Sequence, residues 1–464
     1  MPSDAKLVRG LSLSDSILLL AGGIIGSGIF LTAKNIAVNT RQPWLFLLVW
    51  VVGMGMALLA CFAFAELGSM FPNAGGQYVY MREAYGDAAG FLYGWMYFTV
   101  SATGTVAALG VGFATYLGQA FPILQVDQIV VSVGRLGITR GHLIALAAIA
   151  LQTAINIFGV KKGAVLQNVA TWAKFAAIAI FVIGGLALGH GSWDHYRHTM
   201  PAAASSASFV TGIGVALIAV FWAYDGWVYI TFVAGEVKDP QRNLPRALIW
   251  GLLLVGVVYI AINAVYVYAL PMQEIAAQEA VAQTAAVSMF SARVAPWLSM
   301  LVALSCFGAM APCLMSGARV YYAMAEDGIF FRALARVHPR WHTPVISLVL
   351  QGTWSAVLAL SGKYDELFTY VMFMMVLSYV LTVAGLFLLR RTKPEVPRPY
   401  RCTGYPWLPA IYVILGSAWA VNAAMAETTA TLRGTVIVAL GVPFYFYWKR
   451  QKKTGTSAPD SSLP

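Results

Sequence analysis

Three groups of residues have types and spacings that could do chemistry inside an apolar chain. The first is Gly22, Gly23, Gly26 and Gly28, with Ser27 among them. Each glycine costs about 1 kcal/mol of helix propensity relative to alanine. Gly22 and Gly26 have the spacing of a close helix–helix contact. Gly26 and Gly28, two residues apart, do not share such a face and suit an unwound stretch, whose exposed N–H groups bind anions such as a carboxylate. Both readings stand. The second group is Phe221-Trp222-Ala223-Tyr224-Asp225-Gly226-Trp227. A carboxylate at the centre of a membrane helix costs roughly 2.5–3.5 kcal/mol, so Asp225 either lines a cavity or is bonded to nearby backbone N–H groups, and the aromatics either pack or face a ligand. The third is Lys174, set among Ala, Trp and Phe. Its stem either reaches an interface or holds the ammonium against polar groups at depth.

Weaker candidates surround these. Tyr259, Asn263 and Tyr266 share one helix face, where Asn263 bonds either a ligand or backbone. Glu66, at the end of an apolar run, is either solvated or part of an inner gate. His190, Asp194, His195 and His198 have a spacing that could hold zinc, but a solvated loop is the preferred reading, so no metal is expected. There is no His-Glu-x-x-His, no Gly-x-Ser-x-Gly and no Walker loop, which excludes an ATP-driven pump within this chain, and no cofactor is expected.

The elements that carry these residues are membrane helices. Of 464 residues, 59% are hydrophobic and 11% charged. That balance excludes an ordinary soluble enzyme, a disordered chain and a fibrous one. Apolar runs near 12–37, 44–69, 84–119, 141–159, 164–189, 208–234, 246–270, 294–324, 345–361, 366–390, 407–426 and 433–449 predict twelve transmembrane helices in an all-α integral membrane protein. The glycine-rich and Asp225 segments fall in the first and sixth helices, about 200 residues apart. Two interrupted helices in corresponding positions point to a 5+5 inverted repeat with a site at the midplane, followed by two extra C-terminal helices. Half-helix ends supply N–H groups to a carboxylate and carbonyls to an ammonium, a pairing that suits a zwitterionic amino acid.

Of the 30 Lys and Arg, 21 fall in segments on the side of the N-terminus and 8 on the other. This bias places both termini in the cytoplasm. The basic residues form scattered rims, which excludes a nucleic-acid surface. The expected organisation is a cytoplasmic N-terminus 1–11, a first repeat 12–190, an outer loop 191–207, a second repeat 208–390, an inner loop 391–406, helices over 407–449 and a cytoplasmic tail 450–464. The tail from Thr454 onward is Ser/Pro-rich and expected to be disordered, and 273–289 is expected to form a short helix over the outer face. The N-terminal stretch lacks the features of a cleavable signal. The four cysteines, Cys61, Cys306, Cys313 and Cys402, lie outside the expected outer loops, so neither a disulfide framework nor a disulfide-linked partner is expected.

Several stretches together resemble the amino acid–polyamine–organocation superfamily. They are Gly23–Phe30 (GIIGSGIF), Ala65–Tyr78 (AELGSMFPNAGGQY), Phe232–Pro245 (FVAGEVKDPQRNLP), Ser316–Gly328 (SGARVYYAMAEDG) and Pro339–Pro344 (PRWHTP). The resemblance runs from about residue 10 to 450, nearest to the bacterial type of L-type amino-acid transporter, without a heavy subunit. It implies that Ser27 and Gly28 bind a substrate carboxylate with the N–H of Gly26 nearby, and that carbonyls of Ile24, Trp222 and Asp225 accept from the ammonium. The implied substrate-binding set is Ile24, Gly26, Ser27, Gly28, Phe221, Trp222, Ala223, Asp225 and Asn263. Trp222 stands where the family usually has a phenylalanine that closes the outer side of the site, and Asp225 where many members have glycine. Both departures point to a narrowed pocket and small substrates such as alanine, serine, threonine or cysteine. Lys174 matches a family lysine that, with polar groups such as Ser305, stands in for a sodium ion.

The function expected is sodium-independent exchange of small neutral L-amino acids across the plasma membrane by alternating access. Proton-coupled uptake through Lys174 is an alternative, as is antiport of a cationic amino acid or polyamine that pairs with Asp225. A non-transporting sensor and an intramembrane enzyme are the readings from other classes, and one deep lysine and one deep aspartate make a poor catalytic constellation.

Overall fold

A computed structural model describes residues 7–133, 136–200, 209–361, 364–426 and 428–455. The 201–207 part of the expected outer loop and the expected tail beyond 455 lie outside the described residues. The chain is mostly helical. It runs α1 (Leu13–Ile24), α2 (Gly28–Leu31), α3 (Ala33–Thr40), α4 (Pro43–Met70), α5 (Gln77–Tyr85), α6 (Asp87–Met96), a π-helical turn (Tyr97–Ser101) and α7 (Ala102–Ala120). Strands β1 (Ile129–Val133) and β2 (Leu136–Thr139) follow, then α8 (Arg140–Ile157), α9 (Val160–Leu188), α10 (Phe209–Tyr224), α11 (Tyr229–Phe232) and α12 (Pro240–Ala269). The remainder is α13 (Met272–Ala277), α14 (Val281–Met289), α15 (Ala295–Glu326), α16 (Val345–Ser361), α17 (Tyr364–Thr392), α18 (Trp407–Ala426), α19 (Thr428–Ala439) and α20 (Gly441–Gly455). Among the described residues eight helices are long and apolar enough to cross a membrane, and three apolar helices are shorter.

Local chemistry sets the ends. α1 starts at a capping box, in which Ser12 Oγ accepts from the Asp15 N–H and the Asp15 carboxylate accepts from the Ser12 N–H. Pro43 opens α4 at a position where its missing N–H costs nothing. Gly86, at φ 90°, ends α5, so the run expected from 84 loses its first residues to α5, while α6, the π-helical turn and α7 continue as one helical span, Asp87–Ala120. The last expected helix, 433–449, is divided between α19 and α20. One feature departs from an all-α reading. β1 and β2 pair antiparallel in the loop after α7. Ile129, Val130 and Val131 are β-branched residues, which favour a strand over a helix.

Packing places the interrupted helices at the centre. α1 packs against α9, α12 and α15; α4 lies along α12, and α7 along α15. The polar residues Lys174, Glu236, Asn263, Ser305 and Arg319 are buried in this core.

Candidate functional site

Both chemically distinctive segments are breaks in helices. α1 ends at Ile24, residues 25–27 are non-helical, and helix resumes at Gly28. α10 ends at Tyr224, 225–228 form a turn, and α11 begins at Tyr229. The two breaks touch. Gly226 has φ 103°, and a Cβ there would stand 2.7 Å from the Gly23 carbonyl oxygen. A Cβ on Gly28 would stand 2.8 Å from Ala223 Cα. Glycine is required at both positions: by conformation and contact at Gly226, by contact alone at Gly28.

A cavity of about 310 Å³, counting its open mouth, lies between the breaks. Gly23, Ile24, Gly26, Ser27 and Gly28 line it from one break, and Trp222, Asp225 and Tyr229 from the other. Thr105 and Leu109 of α7 and Ala309 of α15 complete the wall. These last three, and Tyr229, carry no distinctive signal in the sequence; they are ordinary helix residues brought in by packing.

The remaining candidates take other places. Phe221 lines a second cavity and packs on Trp419 with ring centroids 4.7 Å apart. Ala223 contributes its carbonyl to a hydrogen bond from Tyr259 Oη at 3.0 Å. Asn263 does not line the cavity between the breaks; its Nδ2 donates to the Tyr259 carbonyl at 2.9 Å. The Ile24 carbonyl already accepts from Tyr259 Oη at 3.0 Å and from the Gly26 N–H at 2.8 Å. The Trp222 carbonyl accepts from the Asp225 N–H at 3.0 Å. Thus the Gly26 N–H and two of the three expected acceptor carbonyls are engaged within the chain. Asp225 accepts from Tyr379 Oη at 2.7 Å.

Lys174 is fully buried behind the first break. Its Nζ donates to the carbonyls of Ile25, at 2.6 Å, and Gly22, at 3.2 Å. Ser305 Oγ lies 3.0 Å from the same Ile25 carbonyl and 3.1 Å from that of Gly26. The ammonium and the hydroxyl therefore hold the carbonyls that unwinding of α1 leaves without helical donors.

Ion pairs join α5, α15, α17 and the segments that flank them. Arg319 and Glu236 form a buried bidentate pair, at 2.6 and 3.2 Å. The Gly10 and Leu11 N–H groups donate to the Glu236 carbonyl, and the Lys238 N–H to that of Leu11. Arg82 pairs with Asp327 and Glu83, and Lys393 with Glu83. Burial works to raise the Glu83 carboxyl, but the hydrogen bonds from Lys393 and Arg82 outweigh it and hold the group below the usual range. Glu66 is buried and accepts from Arg390 Nε at 3.0 Å and from the Cys402 N–H at 2.6 Å. The four cysteines are buried free thiols.

The model of the family described as amino acid permease matches residues 11–445. This chain belongs to the amino acid permease family. The serine/threonine exchanger SteT of Bacillus subtilis is 30% identical over 97% of this chain and 99% of its own length. The human b(0,+)-type amino acid transporter 1 is 30% identical over 97% of this chain and 90% of its own. The human large neutral amino acids transporter small subunit 2 is 30% identical over 96% and 82%. The chain is thus a permease of the amino acid–polyamine–organocation superfamily whose relatives include L-type transporters, as the sequence motifs implied.

Proposed function

We propose that this permease exchanges small neutral L-amino acids across the plasma membrane by alternating access, without sodium. The observation that carries the reading is the meeting of two helix breaks around a cavity, with the Lys174 ammonium on the carbonyls of Gly22 and Ile25. A fixed cation there does the work of a bound sodium ion: it neutralises carbonyl dipoles left by the break. The first N–H groups of α2, at Gly28 and beyond, receive the substrate carboxylate. The ammonium meets carbonyls of the two breaks, including Asp225, and displaces Tyr259 where it takes the Ile24 carbonyl. Trp222, which lines the cavity, is the outer gate. The chain crosses the membrane twelve times in a 5+5 inverted repeat plus two helices, with both termini in the cytoplasm. The packing of α4 on α12 and of α7 on α15, corresponding helices of the two repeats, supports that arrangement. Buried free cysteines support function without a disulfide-linked heavy subunit.

A second reading is favoured by one observation. Asp225 lines the cavity, and among the described residues no Lys, Arg or His forms an ion pair with it. A cationic amino acid would supply the missing partner.

Proteoliposomes containing only this chain test the proposal. Labelled alanine or serine is expected to enter in sodium-free buffer only when the vesicles hold internal amino acid. Entry into empty vesicles driven by an inward proton gradient would replace exchange with symport. Binding without flux would make the chain a sensor. Ser27→Trp is expected to abolish binding by filling the carboxylate position, and retained binding would move the site elsewhere.

A further inference from the structure

Along α20 the exposed surface changes character at one point. Val442, Phe444, Phe446 and Tyr447 are exposed and apolar, and Lys449, Arg450 and Lys452 follow them, also exposed. In a membrane helix such a change marks the level where hydrocarbon gives way to headgroups. The loop after α15 lies at the same level. Phe331 and Phe330 pack on Trp448 with ring centroids 5.0 and 5.2 Å away. A Cβ at Gly328 would stand 3.7 Å from Lys452 Cγ. Phe331 is 55% exposed, and Arg332 and Arg336 are exposed beside it. Two segments far apart in sequence, 328–340 and 441–453, therefore meet at the membrane boundary. Together they hold seven Lys and Arg and no Asp or Glu. Asp87 pairs with Lys452 at 3.8 Å. Among the described residues Arg332, Arg336 and Lys449 form no ion pair.

We propose that this surface binds the headgroup phosphate of an anionic phospholipid, whose acyl chains lie along Phe331 and the exposed aromatic side chains of α20. Cations gathered at the headgroup level without acidic partners attract a negative lipid. An arginine fork adds directed N–H bonds to phosphate oxygens. The exposed rings decide for a lipid over a dissolved anion, since only a lipid brings hydrocarbon to cover them. A zwitterionic lipid carries its own ammonium into the same cluster of cations, so the surface selects a net negative headgroup. The site also has a place in the permease. α15 carries Ser305, bonded to the first break, and Ala309, in the wall of its cavity. A lipid that bridges the loop after α15 to α20 anchors that helix at its end.

The test is binding of acyl-labelled phosphatidylglycerol to the detergent-solubilised full chain, with unlabelled competitors. Phosphatidylglycerol is expected to compete about tenfold better than phosphatidylcholine, and inorganic phosphate not to compete. Arg332→Gln, Arg336→Gln and Lys449→Gln combined are expected to weaken binding about tenfold. Arg332→Lys with Arg336→Lys is expected to retain most of it, and Arg242→Gln with Arg246→Gln, exposed charges on α12, to leave it unchanged. Equal competition by phosphatidylcholine would reduce the surface to an apolar contact and overturn the proposal. Competition by inorganic phosphate as strong as that by the lipid would make it a site for a dissolved anion and overturn it too. So would equal losses in the α12 variant and the triple variant, which would show attraction by the whole basic rim. If the triple variant fails to fold by size exclusion, Arg332→Gln and Arg336→Gln are measured singly, and unchanged binding in both overturns the site.

Discussion

Tyr259 Oη stands 3.0 Å from the carbonyl of Ile24 and 3.0 Å from the carbonyl of Ala223. One phenolic proton thus serves the last turns of α1 and α10, the two half-helices that end at the breaks. Because the hydroxyl has a single proton, it is shared between the acceptors or passes from one to the other. Either way the contact holds the breaks in one mutual position, and a ligand that takes the Ile24 carbonyl must displace it. Tyr259→Phe leaves the buried Ala223 carbonyl without this donor, at a cost of roughly 1–3 kcal/mol. The expected outcome is a lower melting temperature and exchange slowed on the order of tenfold. Unchanged exchange in proteoliposomes would show that the bridge plays no part in the cycle.

Lys174 sits against Gly308 of α15. A Cβ at that glycine would lie 3.3 Å from Lys174 Cε and 3.4 Å from Nζ. The added methyl therefore pushes the ammonium, which also holds the Ile25 carbonyl at 2.6 Å. Gly308→Ala is expected to reduce exchange several-fold while the protein still folds, because the neighbour is the flexible end of a side chain. Lys174→Met is expected to do more, about a hundredfold, since it removes a charged donor from two buried carbonyls. If Gly308→Ala and Lys174→Met both exchange at the unaltered rate, the ammonium is not needed at the first break.

The sequence made the helices legible because lipid leaves long apolar runs one solution for their backbone groups. The breaks were legible for a related reason: Gly26 and Gly28 lie too close together to serve one packing face, and Asp225 is costly in an apolar run. What escaped was tertiary. Thr105, Leu109 and Ala309 line the cavity only because α7 and α15 pack beside α1, and their residue types are common. Asn263 was singled out for its polarity, yet its amide bonds its own helix. Tyr259 on the same face makes the contact that matters, and no local pattern distinguishes which polar residue of a helix meets a break. The hairpin of β1 and β2 was missed because a short β-branched run between long helices carries little weight beside them.

Glu83 ties α5 to the end of α17 through its ion pair with Lys393. Glu83 is held below the usual carboxylate range by Lys393 and Arg82, against the effect of burial. A depressed folded value means that charged Glu83 contributes stability above its unfolded value of about 4.3. That contribution fades as pH falls through the folded value. The melting temperature of Glu83→Gln is therefore expected below that of the unaltered chain at pH 7, with the gap narrowing toward pH 3–4. A gap that widens on acidification would show that Glu83 is not held in its charged form.

The buried pair of Arg319 and Glu236 fixes the segment on which the N-terminus docks. The Glu236 carboxylate takes two hydrogen bonds from the guanidinium, while its backbone carbonyl accepts from the Gly10 and Leu11 N–H groups. Removing one partner leaves a charge buried without compensation, which costs roughly 3–5 kcal/mol. Arg319→Met is accordingly expected to destabilise the permease strongly and to expose residues 7–11 to limited proteolysis. Arg319→Met combined with Glu236→Gln removes both charges and is expected to recover most of the melting temperature, since neutral groups carry a far smaller desolvation cost. The cycle separates two roles. If the double variant is stable but still cleaved near the N-terminus, the ion pair orients the Glu236 backbone for docking. If it is stable and protected, the pair serves stability alone, and docking rests on the backbone bonds around Leu11.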